Sequence, residues 1–331
     1  MAFEINGTEI IDDNGSLTVT PTKLVARQLL RFSDSTQAQG DISGYTSGGS
    51  ITNIIDKFPF ATDVNASDVG NLTAVTREAA GQSSLTNGYT SGGETTPVAD
   101  LVNIQKFPFA TDTNASNIGD LTGARHAVTG QSSAESGYSS GGFAPAVVTI
   151  DKFPFSTDEN ATGIGDLTTE RSFSSGQSSS TSGYTSGGYK SAVPSPLALS
   201  SVDKFPFATD TNAAFVASLT QARQRSIGHS SAVSGYASGG RLINSSVVDT
   251  VDKFPFAVDG SASDVGDLSQ TAEFLSGQSA AINSSAYTTG GVVGAGLPID
   301  TITRFHFSSD AKISNVGVIT EARSAATGQQ V

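Results

Sequence analysis

The chain has 331 residues, of which 37% are hydrophobic, with no Cys, no Trp, one Met and a formal net charge of −13. Lack of thiols excludes a disulfide framework, a thiolate metal centre and a cysteine nucleophile. So acidic a chain does not suit nucleic acid, whose phosphates are met with basic surface, and no stretch approaches the ~20 apolar residues of a membrane span.

The first residues, Met1-Ala2-Phe3-Glu4-Ile5-Asn6-Gly7, have neither the basic nor the apolar region of a Sec-type leader, so export by that route is not expected. Residues 3–11 read as a hairpin about Asn6-Gly7. Asp13-Asn14-Gly15 gives a second turn before Ser16-Leu17-Thr18-Val19-Thr20. Residues 1–40 are therefore expected to form a small β arm, which must pack on something because a lone hairpin is marginal.

From there the chain repeats. A phrase close to Ser-Gly-Tyr-Thr-Ser-Gly-Gly occurs six times, its Gly pairs ending at Gly49, Gly93, Gly142, Gly188, Gly240 and Gly291. A Lys-Phe-Pro-Phe phrase follows nearly every copy, degenerating to Arg304-Phe305-His306-Phe307 in the last. Self-similarity at this period marks a repeat architecture. Each unit lacks helical periodicity and is cut by Gly, Pro and Asn/Asp clusters, the pattern of short strands. In the third unit, strand A is placed at residues 126–132, B at 137–141, C at 147–155 and D at 161–167, with a bulge or edge expected at the Pro of strand C.

Four short strands per unit predict an all-β fold, a six-bladed β-propeller over residues 41–331. The small side chains of strand A suit a crowded axis. Residues 324–331 match strand A of a unit whose other strands are missing, while the first unit lacks strand A, so the C-terminal strand is expected to close the ring.

Gly-Gly, a strand ending in an aromatic, a Thr-Asp-x-Asn turn, a Leu and an Arg together resemble the kelch repeat. This chain departs from that pattern in having no Trp after the turn; Ala115 and Ser116 stand there in the second unit. The Ile5-Asn6-Gly7-Thr8 start before Cys-free, Ser/Thr/Gly-rich repeats resembles the N-termini of structural proteins of marine tailed phages. That resemblance implies a virion component, of the tail, fibre or decoration kind.

Several residues recur by unit. Asp63, Asp112, Asp158, Asp210, Asp259 and Asp310 occupy one turn in every unit and read as turn caps rather than metal ligands, since a calcium loop's later Gly and Glu are missing. Arg77, Arg125, Arg171, Arg223 and Arg323, with Glu273 near the sixth position, read as donors to carbonyls and to Asp120 or Asp166 between units, with an anion-binding ring as the sharper alternative. Gln82, Gln131, Gln177, Gln278 and Gln329, with His229 in the remaining unit, are expected to line the axial channel. The three His residues fall at different repeat positions, and neither a metal triad nor a catalytic motif is read. No cofactor is expected.

The B–C link varies most, reaching 15 residues after Gly188. Variable loops on a rigid scaffold are where binding usually sits, so Tyr189, Lys190, Arg241 and His229 are the candidate ligand-binding residues of a loop face. The sequence thus leads to a non-enzymatic virion protein that oligomerises or attaches through residues 1–40. Its propeller face would meet a host glycan or protein, without nucleic acid or membrane insertion. Alternatives are an extracellular bacterial carbohydrate-binding propeller and, more weakly, a propeller hydrolase or lyase.

Overall fold

A computed structural model describes residues 3–5, 8–11, 39–143, 145–191, 196–294, 296–310 and 314–331. The chain divides into residues 1–35 and residues 36–331. In the first unit, Phe3–Ile5 and Thr8–Ile11 pair antiparallel, with Ile5 opposite Thr8 and Glu4 opposite Glu9. The turns at Asn6-Gly7 and Asp13-Asn14-Gly15, and residues 16–20, lie outside the described residues.

The larger unit is all-β, and no helix occurs among the described residues. Its main elements are six antiparallel four-stranded sheets, each in the order A-B-C-D and numbered 1 to 6 by strand B, which is Ser43–Ser47, Asn87–Ser91, Ser136–Ser140, Ser182–Ser186, Ser234–Arg241 and Ser285–Thr289 in turn. In sheet 3 these are Thr129–Ser132, Ser136–Ser140, Thr149–Pro154 and Thr162–Asp166, each shorter than the predicted strand or shifted by a residue. Sheet 1 draws strand A from the end of the chain. There Thr327–Gln330 pairs with Ser43–Ser47, Ser47 lying opposite Thr327 and Gly44 opposite Gln330.

The bulge expected at the proline lies elsewhere. Pro59 ends its strand opposite Ser43, where a missing amide costs little. The register shift falls between strands C and D, at Ile55/Asp56 in sheet 1 and Ile150/Asp151 in sheet 3, and its counterpart recurs in every sheet. A bulge re-aims the side chain beside it. Here that side chain is a buried carboxylate in four sheets, Asp56, Asp151, Asp203 and Asp252.

Neighbouring sheets meet through their A strands. The Ser83 amide donates to Ser132 Oγ, Ser132 to Ser178, Ser178 to Ser230 and Ser230 to Ser279, each at 3.0 Å. The Ser279 amide then donates to Gln330 Oε1 at 3.4 Å, and the Gln330 amide to Ser83 Oγ at 3.0 Å. Glycine is needed where these strands approach: a Cβ on Gly130 would lie 2.2 Å from the Gly81 carbonyl oxygen. A cavity of about 130 Å³ is bordered by the A strands of all six sheets.

The apolar core lies between sheets. The Tyr of each B strand packs on the second Phe of the next sheet's Phe-x-Phe phrase, stacked in four sheets and tilted in two. Tyr89 lies on Phe155 at 4.7 Å, Tyr138 on Phe207 at 4.8 Å and Tyr287 on Phe60 at 4.9 Å between centroids, with Tyr45 and Tyr236 tilted over Phe109 and Phe307. Such pairs add to the burial of both rings. The Gly-Gly pair then turns the chain out of strand B with left-handed backbone at both residues, φ 62° at Gly141 and 117° at Gly142, so the repeated phrase ends in the residue type the turn demands.

Candidate functional site

Polar contacts join neighbouring sheets in three layers, of which the middle one is present at four of the six junctions. At the outer edge the recurrent Asp of the C–D turn takes an ion pair from the preceding sheet's strand C. Lys57 reaches Asp112 at 3.5 Å, Lys152 reaches Asp210 at 3.0 Å, Lys204 reaches Asp259 at 3.1 Å, Lys253 reaches Asp310 at 2.8 Å and Arg304 reaches Asp63 at 2.6 Å. Lys106 pairs with Asp158 in the same way. The turn Asn also points back: Asn160 Oδ1 accepts from the Asp120 amide and Asn212 Oδ1 from the Asp166 amide, both at 3.0 Å. These side chains therefore bind the neighbouring sheet, where the sequence reading had them capping their own turn.

The middle layer is a buried ion pair. Arg125 meets Asp151, Arg171 meets Asp203 and Arg323 meets Asp56 at 3.0 Å, and Arg223 meets Asp252 at 3.2 Å. A Thr of the preceding sheet completes each carboxylate; Thr122 donates from its amide at 2.9 Å and from its hydroxyl at 2.8 Å to Asp151. Burial pulls the Arg171, Arg223 and Arg323 guanidiniums below the usual arginine range, and the facing carboxylates oppose that pull. The partners expected from sequence, Asp120 and Asp166, are exposed at the sheet edge.

The structure also shifts the arginine alignment by one residue. The carbonyl that a Cβ on the first Gly of the pair would strike belongs to Arg125, Arg171, Arg223 and Arg323 in four units, but to Thr76 and Ala272 in the other two. Thr76 and Ala272 thus stand at the arginine position, and the strand C residues of sheets 2 and 6 at the carboxylate position are Gln105 and Thr303. Arginine and aspartate are lost together. Arg77, one residue on, instead pairs with Glu94 at 2.7 Å, and Glu273 accepts from Arg241 Nε at 2.7 Å and Arg225 Nη1 at 3.3 Å.

The inner layer holds the recurrent glutamines. Gln82, Gln131 and Gln177 border the cavity, but their amide groups are committed: Gln82 Nε2 donates to Ser91 Oγ at 2.9 Å and, in the next sheet, to the Tyr138 carbonyl at 3.0 Å. His229 takes this position in sheet 5. It is 1% exposed, packs edge-on against Phe305, and neither ring nitrogen makes a well-formed hydrogen bond. Burial pushes its pKa down to about 4, with the Gln278 backbone pulling weakly the other way. His229 is thus an interior residue, which corrects its assignment to a loop face.

The other loop-face candidates are also engaged. Tyr189–Lys190 pairs with Leu197–Ala198, and Lys190 Nζ lies 3.0 Å from Thr169 Oγ1. Arg241 is held by buried Glu273, whose carboxylate raises its already high pKa. Residues 192–195 of that loop lie outside the described residues.

Symmetry breaks most at the residue two beyond the arginine position. All six residues there have left-handed backbone: Glu78 (φ 56°), Ala127 (53°), Phe173 (55°), Arg225 (59°), Phe274 (56°) and Ala325 (56°). Their amides connect the sheets. Phe173 donates to the Ala127 carbonyl at 3.1 Å, Arg225 to Phe173 at 2.7 Å, Phe274 to Arg225 at 3.2 Å, Ala325 to Phe274 at 3.0 Å and Glu78 to Ala325 at 2.9 Å. Side chains cluster above this circuit. The Arg225 guanidinium carbon sits 4.4 Å from the Phe274 ring centre and 5.1 Å from that of Phe173, and the two rings meet edge to face at 5.9 Å.

His126 adjoins this cluster, 5.4 Å from Phe143 and 6.4 Å from Phe173 between ring centres. Its Nδ1 lies 2.6 Å from Asp100 Oδ1 and 3.9 Å from Glu94 Oε2, while its Nε2 lies 3.9 Å from Glu78 Oε2. The sequence reading found no His-centred cluster because His126, Asp100 and Glu94 come from different segments. The overlooked signal was the residue following each arginine, which varies from Ser172 to His126 where the rest of the unit repeats. The chain matches no family model and no curated protein.

Proposed function

We propose that residues 36–331 form a closed six-bladed, kelch-like β-propeller that serves as a non-enzymatic recognition domain of a virion, with residues 1–35 as its attachment arm. Ring closure is supported by the pairing of Thr327–Gln330 with Ser43–Ser47 and by the Gln330 amide donating to Ser83 Oγ at 3.0 Å. The ligand site on this reading is the mouth of the axis, where Phe173, Arg225 and Phe274 meet.

One observation carries that placement. Two Phe and one Arg hold φ between 55° and 59°, a region that bulky side chains rarely adopt. Strained backbone persists where surrounding structure over-determines it, and it gathers at binding sites. The scaffold would be served as well by Ala, as at Ala127 and Ala325, so the large side chains need another reason. Two half-buried aromatic faces beside a cation suit a sugar of a host-surface glycan.

A glycan array tests the reading. The full chain should bind a defined set of glycans, and Phe173→Ala and Phe274→Ala should each weaken that binding about tenfold or more, while Tyr189→Ala leaves it unchanged. Absence of glycan binding, or undiminished binding by both Phe variants, would overturn it.

A further inference from the structure

We propose that Glu94, Asp100 and His126 bind a divalent transition-metal ion. The inference is independent of what the axis mouth recognises. The three donor atoms, one from each side chain, all lie within 4.8 Å of one another. A single ion with bonds of about 2.0–2.2 Å to nitrogen and oxygen needs its ligands roughly 3–3.5 Å apart. Small rotations of Asp100 and Glu94 about the fixed imidazole supply that spacing, since Asp100 now stands at 2.6 Å and Glu94 at 3.9 Å.

The surroundings hold the ligands as a metal site requires. Glu94 is buried and its other oxygen is ion-paired with Arg77 at 2.7 Å, so Oε2 is left toward His126. The imidazole is set by Phe143 and Phe173 and by the backbone bridge from His126 to Phe143. Glu78 faces the far ring nitrogen, the position from which a carboxylate orients a metal-bound histidine. Burial, followed by the charge of Glu94, raises the Glu78 pKa, and His126 acts against that rise. Three carboxylates thus crowd a part-buried space, and the Arg77 guanidinium beside it is already paired with Glu94.

The donor set selects the metal. One imidazole and two carboxylates suit a borderline ion such as Zn²⁺ or Co²⁺ better than Mg²⁺ or Ca²⁺, which prefer all-oxygen shells. Three protein ligands would leave a coordination position for water or an external group. The arrangement also belongs to one junction: the residues matching His126 in the other units are Arg77, Ser172, Gln224, Glu273 and Ser324.

Calorimetric titration of the chelator-treated full chain with Zn²⁺ tests this, with Co²⁺ visible absorption as a second readout. One ion per chain is expected, with His126→Ala and Asp100→Asn each weakening it at least about tenfold and altering the Co²⁺ spectrum. His306→Ala should change neither. Asp100 is exposed, so its variant keeps the test decisive should His126→Ala not fold. Lack of a one-ion Zn²⁺ isotherm, equal affinity in Asp100→Asn, or equal weakening by His306→Ala would overturn the proposal.

Discussion

Arg171 Nη2 lies 3.0 Å from Asp203 Oδ2, with both side chains fully buried. The arginine enters from the segment linking sheets 3 and 4, and the carboxylate stands at the bulge of strand C in sheet 4. Thr168, from the end of sheet 3, also donates its hydroxyl to Asp203, at 2.9 Å. One buried carboxylate thus fixes the junction of two sheets, and the arrangement recurs wherever both charges are present.

Removing one partner should be costly because it strands the other charge. Arg171→Met is expected to destabilise the protein by about 3–5 kcal/mol, whereas Arg171→Met with Asp203→Asn should recover a substantial part of that loss. Urea unfolding of the two variants checks this; a double variant no more stable than the single would contradict it.

The outer pairs should behave oppositely. Lys57 and Asp112 have side chains 30% and 62% exposed, and exposed pairs contribute at most about 1 kcal/mol. Lys57→Ala should therefore shift the urea midpoint only slightly, and less still in high salt.

His229 should make stability depend on pH. Its folded pKa of about 4 lies below the ordinary 6.5, so between these values the unfolded chain binds the proton and the folded chain does not. Stability is then lost as pH falls from 6.5 toward 4, by about 3 kcal/mol in total for a shift of this size. His229→Gln should remove that slope. It should also stabilise at pH 7, by roughly 1 kcal/mol, since Ser238 Oγ, now without a partner, would gain the donor that Ser91 has in Gln82. Urea titrations at pH 7 and pH 4.5 measure both effects.

Close approach of the A strands sets a further expectation. Gly130→Ala would force a Cβ to 2.2 Å from the Gly81 oxygen, while Gly123→Ala meets nothing within 4 Å. The first should cost about 1–3 kcal/mol or more and the second almost nothing, by thermal or urea unfolding.

The repeat made the strands legible, because a Gly-Gly turn and a Lys-Phe-Pro-Phe phrase, or its variant Arg304-Phe305-His306-Phe307, mark their ends in every unit. Contacts between units were not legible. The partner of Arg171 is Asp203, 32 positions on and inside strand C, where a carboxylate looks like ordinary polar alternation. Only the joint loss of both charges, at Thr76 with Gln105 and at Ala272 with Thr303, gives the pairing away. Aligning Arg77 with the other arginines hid this, since it stands one residue late. The strained circuit through Phe173, Arg225 and Phe274 had no sequence signal of its own, because nothing in those residue types announces a positive φ.

Deletion of residues 327–331 tests closure of the proposed propeller most directly. These residues supply strand A of sheet 1 and the contact from Gln330 to Ser83. A closed ring predicts that the truncated chain unfolds at a much lower urea concentration, with the loss felt in sheets 2 and 6 by hydrogen exchange as well as in sheet 1. An unchanged midpoint, with altered exchange confined to residues 43–47, would contradict it.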